Sequence, residues 1–366
     1  MSELKKARQE IDKIDREMAE LFCRRMQVVE EISDYKMAHG LPVTDHEREE
    51  LVVSQNAQYI SNDDIRPHYI GFIRDTLKAS YHYQTRRMQG MRVAFSGIAG
   101  AFAAIAAGKI FPTAEHVPYN DFASAYKAVE KGECDVAVLP IENSTAGEVG
   151  QVVDLMFSGT LFVNGVYDFS VHHNLLGTAD ATMEGIREVI SHPQALAQCD
   201  AYIRSHGFTQ IQAGNTAMAA KQVAETGDPT VAAIASVETA ELYGLKVLDH
   251  NINEVDVNTT RFAVLSRSTS HAEHSGKHSI LLFTVRNEAG SLAEAINIIG
   301  EYGYNMRCLR SRPMKELLWQ YYFYVELEGD LYTDDGKRML GELTRCCDRL
   351  KVVGSFRYPA KPEGEV

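Results

Sequence analysis

Residues 136–147 read Val136-Ala-Val-Leu-Pro-Ile-Glu-Asn-Ser-Thr-Ala-Gly147. The first five form a short apolar run of the kind that fills a buried strand, and polar residues follow abruptly. Glu142-Asn143-Ser144 suits a turn with a helix cap as well as it suits a strand end that delivers polar groups. Working outward, the same texture repeats. Upstream, Met91–Phe95 is a short apolar strand, followed by a Gly97-Ile-Ala-Gly100 turn and a helix of small residues. Downstream, Leu161–Phe169, Glu188–Ser191, Val231–Ala235 and Phe262–Ser266 read as further strands among helical stretches. Strands alternating with helices specify an α/β architecture. The glycine turn lacks the GxGxxG spacing of a dinucleotide fingerprint.

Both flanks differ from this middle. On the C-terminal side, the polar stretch Ser268–Lys277 reads as a linker. Beyond it come strand Ser279–Val285, helix Leu292–Tyr302, strands Asn305–Ser311 and Trp319–Glu326, helix Lys337–Cys347 and strand Val352–Arg357. That βαββαβ order predicts an α+β, ferredoxin-like unit. On the N-terminal side, residues 3–38 read as one long helix. Its positions 4, 7, 11, 14, 18, 21, 25, 28, 32 and 35 follow alternating steps of three and four and are mostly apolar. His39-Gly40-Leu41-Pro42 ends it, and further helices are expected over about Asp45–Tyr59 and Pro67–Met88. Three helices cannot bury so long a seam alone, so this module is expected to dimerise.

Composition narrows the function. A net charge of −13 excludes broad attraction to nucleic acid or anionic membranes, although Arg and Lys can still converge locally on small anions. No apolar run is long enough for a membrane span, and the polar N-terminal helix has no signal-peptide core. Six scattered cysteines, without CxxC or a grouping with His, read as reduced thiols in a cytoplasmic protein and predict no metal site.

Arg25 lies on the apolar register of the first helix, where an unpaired charge is costly, so something anionic is expected to meet it. Lys36 is eleven residues on and shares nearly the same face. Asp45, Arg48 and Glu49 share a face, as do Ser80 and Gln84. Singly, each is a snorkelling cation, a helix cap or a surface residue. Together with Arg8 their spacing over residues 4–88 resembles the all-helical chorismate mutases. The resemblance implies a pericyclic rearrangement of chorismate to prephenate, needing neither nucleophile nor metal. Arg25 and Arg8 of the partner subunit would clamp two carboxylates by forked hydrogen bonds. Lys36 and Gln84 would donate to the breaking ether oxygen. Glu49 and Asp45 would orient the ring hydroxyl, with Arg48 supporting them and Ser80 completing the ligand set.

In the middle region, Pro140-Ile-Glu-Asn-Ser-Thr-Ala-Gly147, Ser191-His-Pro-Gln-Ala-Leu-Ala-Gln-Cys199 and Asn258-Thr-Thr-Arg-Phe262 resemble the prephenate dehydratases. Gly214-Asn-Thr216, Ala232-Ala-Ile-Ala-Ser236 and Leu242-Tyr-Gly-Leu245 add to the likeness, which spans about 91–267. It implies two α/β lobes with a cleft, similar to periplasmic-binding proteins, and the decarboxylating dehydration of prephenate to phenylpyruvate. Thr260 would be a positioned hydrogen-bond donor to the departing hydroxide. Asn143, Ser191 and Gln198 would bind substrate oxygens, Glu142 would orient that network, and Arg261 would place positive charge near a carboxylate. His172, His173 and His192 are read as structural.

At the C-terminus, Asn287-Glu-Ala-Gly-Ser-Leu292, Asn305 and Arg310-Ser-Arg-Pro313 resemble the phenylalanine-binding motifs of ACT domains. The implied effector residues are Gly290, Ser291, Leu292, Asn305, Ser311 and Arg312. The family usually carries Glu where this chain has Arg310, which reverses a charge. The expected organisation is a chorismate mutase domain over 1–89, a prephenate dehydratase domain over 91–268 and an ACT domain over 278–358. The implied protein is a homo-oligomer without cofactor that acts on chorismate and prephenate and senses L-phenylalanine. Competing expectations are a dehydratase preferring arogenate, a mutase domain reduced to dimerisation, and a sensor without turnover.

Overall fold

The computed structural model describes residues 3–255, 257–269, 278–314 and 320–356. Most of the expected linker, together with Trp319 and Arg357, lies outside them. The chain divides into two compact units, Met1–Met91 and Arg92–Val366.

The first unit consists of α1 (Glu3–His39), α2 (His46–Ala57) and α3 (Arg66–Gln89). α1 stops where Gly40 turns left-handed at φ 64°, two residues before Pro42. Asp45 caps α2 by accepting from the Arg48 backbone N–H at 3.0 Å. Arg25, Glu30 and Asp34 meet Ser80, Tyr83 and Arg87 in turn, so α1 and α3 run parallel. Glu50 meets Arg74 and Asn56 meets Tyr69, so α2 returns antiparallel to α3. Across this bundle the buried side chains are few: Val29, Ser33, Val53 and Ser80. The apolar register of α1 instead stays exposed at Leu4, Ile11, Ile14, Met18, Leu21, Val28, Ile32 and Tyr35.

The second unit begins with an α/β lobe. It runs β1 (Arg92–Ser96), α4 (Phe102–Ile110), β2 (Glu115–Tyr119), α5 (Phe122–Lys131), β3 (Val136–Asn143), β4 (Gly147–Glu148), α6 (Gly150–Ser158) and β5 (Phe162–Ser170). The chain then crosses into a second lobe. Its elements are β6 (Asn174–Gly177), β7 (Glu188–Ser191), α7 (Pro193–Gln198), α8 (Asp200–His206), β8 (Thr209–Gln212), α9 (Thr216–Thr226), β9 (Val231–Ala235), α10 (Val237–Tyr243) and β10 (Lys246–Asp249). It returns as β11 (Thr259–Ser266), inserted between β3 and β5. The sheet orders are β2-β1-β3-β11-β5, with β4 beside β3, and β10-β6-β9-β7-β8. The two crossings are tied together where Ile252 N–H donates to the His173 carbonyl at 2.8 Å. Two lobes joined by paired crossings leave a cleft between them.

The remaining elements are β12 (His278–Val285), α11 (Ser291–Glu301), β13 (Asn305–Pro313), β14 (Tyr321–Glu328), α12 (Asp334–Cys346) and β15 (Cys347–Phe356). They form a four-stranded antiparallel sheet of order β13-β14-β12-β15 in βαββαβ sequence. Leu281 and Phe283 face α11 and α12, whereas Ile280 and Leu282 join the core of the first lobe with Leu139 and Val163. Both faces of β12 are covered, which explains its unbroken apolar run. At the joint, a Cβ on Gly354 would lie 2.0 Å from the Val163 carbonyl oxygen, so only glycine permits this approach of β15 to β5.

Candidate functional site

In the helical unit, Arg25 is half-buried and donates to the Ser80 hydroxyl, which itself donates to the Thr76 carbonyl at 2.8 Å. No acidic side chain among the described residues pairs with Arg25. Burial pulls its guanidinium below the ordinary value. One helical turn beyond Ser80, the Gln84 Oε1 is buried without a hydrogen-bond partner. A desolvated cation with no such acidic partner suits a bound anion, whereas the Gln84 oxygen is an acceptor and calls for a donor. Lys36 donates to the Val43 carbonyl at 2.6 Å, and Glu49 is within 3.6 Å of His46. Asp45 is spent on its cap, while Arg48 and Arg8 are exposed. The structure thus joins Arg25 with Ser80 and leaves Arg8 pointing to solvent within one chain.

In the cleft, β3 and β11 bring Asn143 opposite Thr260. Asn143 Oδ1 accepts from the backbone N–H groups of Thr145 and Ala146 at 3.1 and 2.9 Å, which fixes the amide the right way round. Its Nδ2 therefore donates, to Thr260 Oγ1 at 2.9 Å and Asn258 Oδ1 at 2.8 Å. Asn258 Nδ2 donates to Gln198 Oε1 at 3.0 Å, and Gln198 Nε2 to Thr145 Oγ1 at 2.5 Å. Thr145 closes the ring by donating to Asn143 Oδ1 at 2.7 Å. Every donor points the same way round, an arrangement in which each bond polarises the next. Gln198 is the member contributed by the second lobe. Because Thr260 accepts from Asn143, its own hydrogen is left to donate outward.

Ser191 does not join this ring. It is fully buried, and its hydroxyl donates to the Ile234 carbonyl at 2.6 Å, stitching β7 to β9. Its expected contact with substrate therefore has no exposed atom to make it.

Glu142 and Arg261 are a second correction. Successive strand residues face opposite ways, so neighbours of Asn143 and Thr260 turn their backs on the cleft. Arg261 is held by Glu326 of β14 through two bonds, 2.8 and 2.9 Å long, and by Glu142 at 3.3 Å. Glu142 also accepts from Arg310 of β13. Arg312 completes the joint through Glu148, Asp154 and Tyr322. Burial works against the Arg312 charge, but Asp154, Tyr322 and Glu148 outweigh it and hold the guanidinium above its ordinary value. These ion pairs belong to the seam between the first lobe and the C-terminal sheet. Arg261 has no spare geometry there for a substrate carboxylate.

Among the expected effector residues, Gly290 takes φ 90° at the start of α11, with Ser291 buried and Leu292 half-buried behind it. Ser311 is exposed, and Arg312 is engaged as above. Sheet register puts Gly290 and Arg312 at one end of the sheet. Asn305 lies at the other, paired with Glu328 at 3.0 Å, so these residues do not form one site within a single chain.

Sequence reasoning missed Asn258 and Thr145, although both stand inside the quoted strings. It also set aside His173, whose Nε2 lies 2.8 Å from Gln198 Oε1.

A family model described as prephenate dehydratase matches residues 93–270, and one described as chorismate mutase type II matches residues 7–85. A bifunctional chorismate mutase/prephenate dehydratase of Neisseria gonorrhoeae is 32% identical over 355 residues, 95% of each chain. An arogenate dehydratase/prephenate dehydratase of Arabidopsis thaliana is 34% identical over 282 residues, 73% of this chain and 72% of that one. Among solved structures, the quorum-quenching acylase GqqA aligns at a TM-score of 0.68 and 31% identity, over 73% of this chain and 98% of its own. With similarity running through both units and nearly end to end, the chain belongs to the bifunctional chorismate mutase/prephenate dehydratase family.

Proposed function

We infer that this protein is a bifunctional enzyme of phenylalanine biosynthesis: its helical unit rearranges chorismate to prephenate, and its two-lobed unit converts prephenate to phenylpyruvate. The carrying observation is the hydrogen-bond ring that fixes Thr260 as a donor at the cleft. Prephenate loses carbon dioxide and hydroxide together. The electrons of the breaking carbon–carboxylate bond enter the ring as the carbon–oxygen bond breaks, and the hydroxide leaves as water after taking a proton. Thr260 donates a hydrogen bond to that departing oxygen, where negative charge develops. Asn143 holds Thr260 in place, and Gln198 ties the second lobe to the same network.

In the mutase step Arg25, and Arg8 of the partner subunit, grip the two carboxylates. Lys36 and Gln84 face the ether oxygen as its bond lengthens, with Ser80, Asp45, Arg48 and Glu49 around the ring. Supplying Arg8 from a second copy requires a homo-oligomer, and the exposed seam of α1 is the surface for it. The division we adopt is 1–89, 91–268 and 278–358, the last an ACT-type unit for L-phenylalanine through Gly290, Ser291, Leu292, Ser311 and Arg312, with Asn305 from across a sheet-to-sheet contact. Six free cysteines suit a reducing, cytoplasmic setting.

The Arabidopsis relative carries both the arogenate and the prephenate name, so the two substrates are to be compared directly. Acyl hydrolysis is disfavoured, because among the described residues no histidine or carboxylate is bonded to the hydroxyl of Thr145 or Thr260 to activate it. The test is to add chorismate alone to purified protein and follow prephenate and phenylpyruvate. Thr260→Ala is expected to lower the second step by about 10²- to 10³-fold and leave the first intact. A protein that leaves chorismate unchanged ends the mutase reading, and a Thr260→Ala variant with full dehydratase turnover ends the role given to Thr260.

A further inference from the structure

The ring around Asn143 is oriented at one side only by backbone: two N–H groups lock Asn143 itself. Gln198, the member from the second lobe, has no such lock. Its Oε1 accepts from Asn258 at 3.0 Å and has one further partner, the His173 Nε2 at 2.8 Å. His173 is 2% exposed, and its Nδ1 is buried with no hydrogen-bond partner. The imidazole therefore offers a single useful atom, and that atom is spent on Gln198. The backbone of His173 is equally fixed. Its N–H donates to Asn253 Oδ1 at 3.1 Å and its carbonyl accepts from Ile252, so it is clamped where the two interlobe crossings meet. Phe102 abuts the ring edge-on, with centroids 6.0 Å apart.

We propose that His173 is a positioning residue for the elimination: its Nε2–H pins the Gln198 amide in the orientation that keeps the ring running toward Thr260. If the amide turned over, Gln198 Oε1 would face the Thr145 hydroxyl and draw its hydrogen away from Asn143 Oδ1. The ring would then lose its common direction, and Gln198 would be free to leave with the second lobe. This inference rests on the dehydratase reading of the cleft. His173 acts through Gln198 and touches no reacting atom.

The test compares three variants in the full-length enzyme, with prephenate as substrate and the thermal unfolding midpoint of each variant as the folding control. Glutamine can place an amide N–H where Nε2 sits, asparagine places one only near Nδ1, and phenylalanine removes both. His173→Phe and His173→Asn are expected to lose about 100-fold in kcat with little change in KM, as misplaced catalytic groups do. His173→Gln should stay within about tenfold of wild type, since its hydrogen bond is retained. Equal kcat losses in the Gln and Asn variants would mean that His173 merely fills space, and a wild-type kcat for His173→Phe would overturn the proposal outright. Failure of the wild-type protein itself to form phenylpyruvate would instead remove the dehydratase reading, a separate outcome.

Discussion

Arg310 ties the C-terminal sheet to the first lobe. Where the resemblance leads one to expect a glutamate, this chain has a guanidinium bonded to Glu142 and 3.7 Å from Glu148. Glu142 is the immediate neighbour of Asn143, so the C-terminal sheet is bonded to the strand that carries the ring. Arg310→Glu would set a third carboxylate against those two. The pairs are partly exposed, with 31% of the Arg310 side chain accessible, so a loss of about 1–2 kcal/mol is expected instead of the full cost of a buried charge. Urea unfolding of the two variants measures it, and equal midpoints would show the pair to be incidental. Sequence alone marked the charge reversal but not its partner, which lies 168 residues away. By contrast, the outward turn of Arg261 was available from strand periodicity once Thr260 was assigned to the cleft. At the same scale, burial lowers His173, His192 and His278 from the usual value of 6.5, with the Gln198 bond opposing it at His173 and Glu326 at His278. A folded value below the unfolded one means that the unfolded chain binds more protons. Stability is therefore retained above pH 6.5 and falls as pH drops through that value toward the folded ones. His173→Gln should flatten the slope of unfolding free energy against pH below 6.5, by at most about 1.4 kcal/mol per pH unit. An unchanged slope would mean His173 is not buried neutral.

Strands were legible in proportion to the apolar run they carry, so the central β6, only four residues long, went unread. β3, β9 and β12 are central or fully covered and announce themselves as apolar runs, of Val, Ile and Leu in β3 and β12 and of Val, Ile and Ala in β9. The edge strands β5, β13 and β15 were read as well, whereas β2 and β8 were not. β2 reads Glu115-His-Val-Pro-Tyr119 and β8 reads Thr209-Gln-Ile-Gln212, and each lies at the end of its sheet with little apolar face to show. Pro118 is tolerated in β2 because an edge has an unused side. The joint between β15 and β5 was also invisible, since it depends on a missing side chain. Gly354 packs against the Val163 backbone so closely that any Cβ forces the two strands apart. β15 also supplies Lys351 and Arg349, which donate to the carbonyls of Met156 and Phe157 at 2.6 and 2.9 Å and so cap the end of α6. Gly354→Ala should consequently cost about 2–3 kcal/mol or more, through overpacking and loss of these bonds. Thermal unfolding tests it; a midpoint within about a degree of wild type would show that the contact relaxes freely.

At the scale of the whole molecule, the helical unit presents a surface it cannot use alone. α1 has 37 residues, about 55 Å of helix, yet only its C-terminal half meets α3. Ile11, Ile14, Met18 and Leu21 are 57, 49, 43 and 58% exposed, a contiguous apolar stripe of the sort that marks an interaction surface. Arg8 rides on this same segment, far along the helix from Arg25, so one chain does not gather the cations that the mutase reading requires. A second copy laid along the stripe would bury the apolar residues and carry its Arg8 toward the first chain's Arg25. Ile14→Asp separates this arrangement from a bare, self-sufficient helix. On an exposed stripe the aspartate remains hydrated and costs little. Within a chain-to-chain contact it is an unpaired buried charge, worth several kcal/mol, or about 10²- to 10³-fold in association. The expected result is a lower mass by analytical ultracentrifugation and a mutase rate that falls with it. The dehydratase ring lies in the other compact unit, so its turnover should hold. An unchanged mass with full mutase turnover would show that each chain completes its own site, and that the stripe on α1 serves no contact between copies.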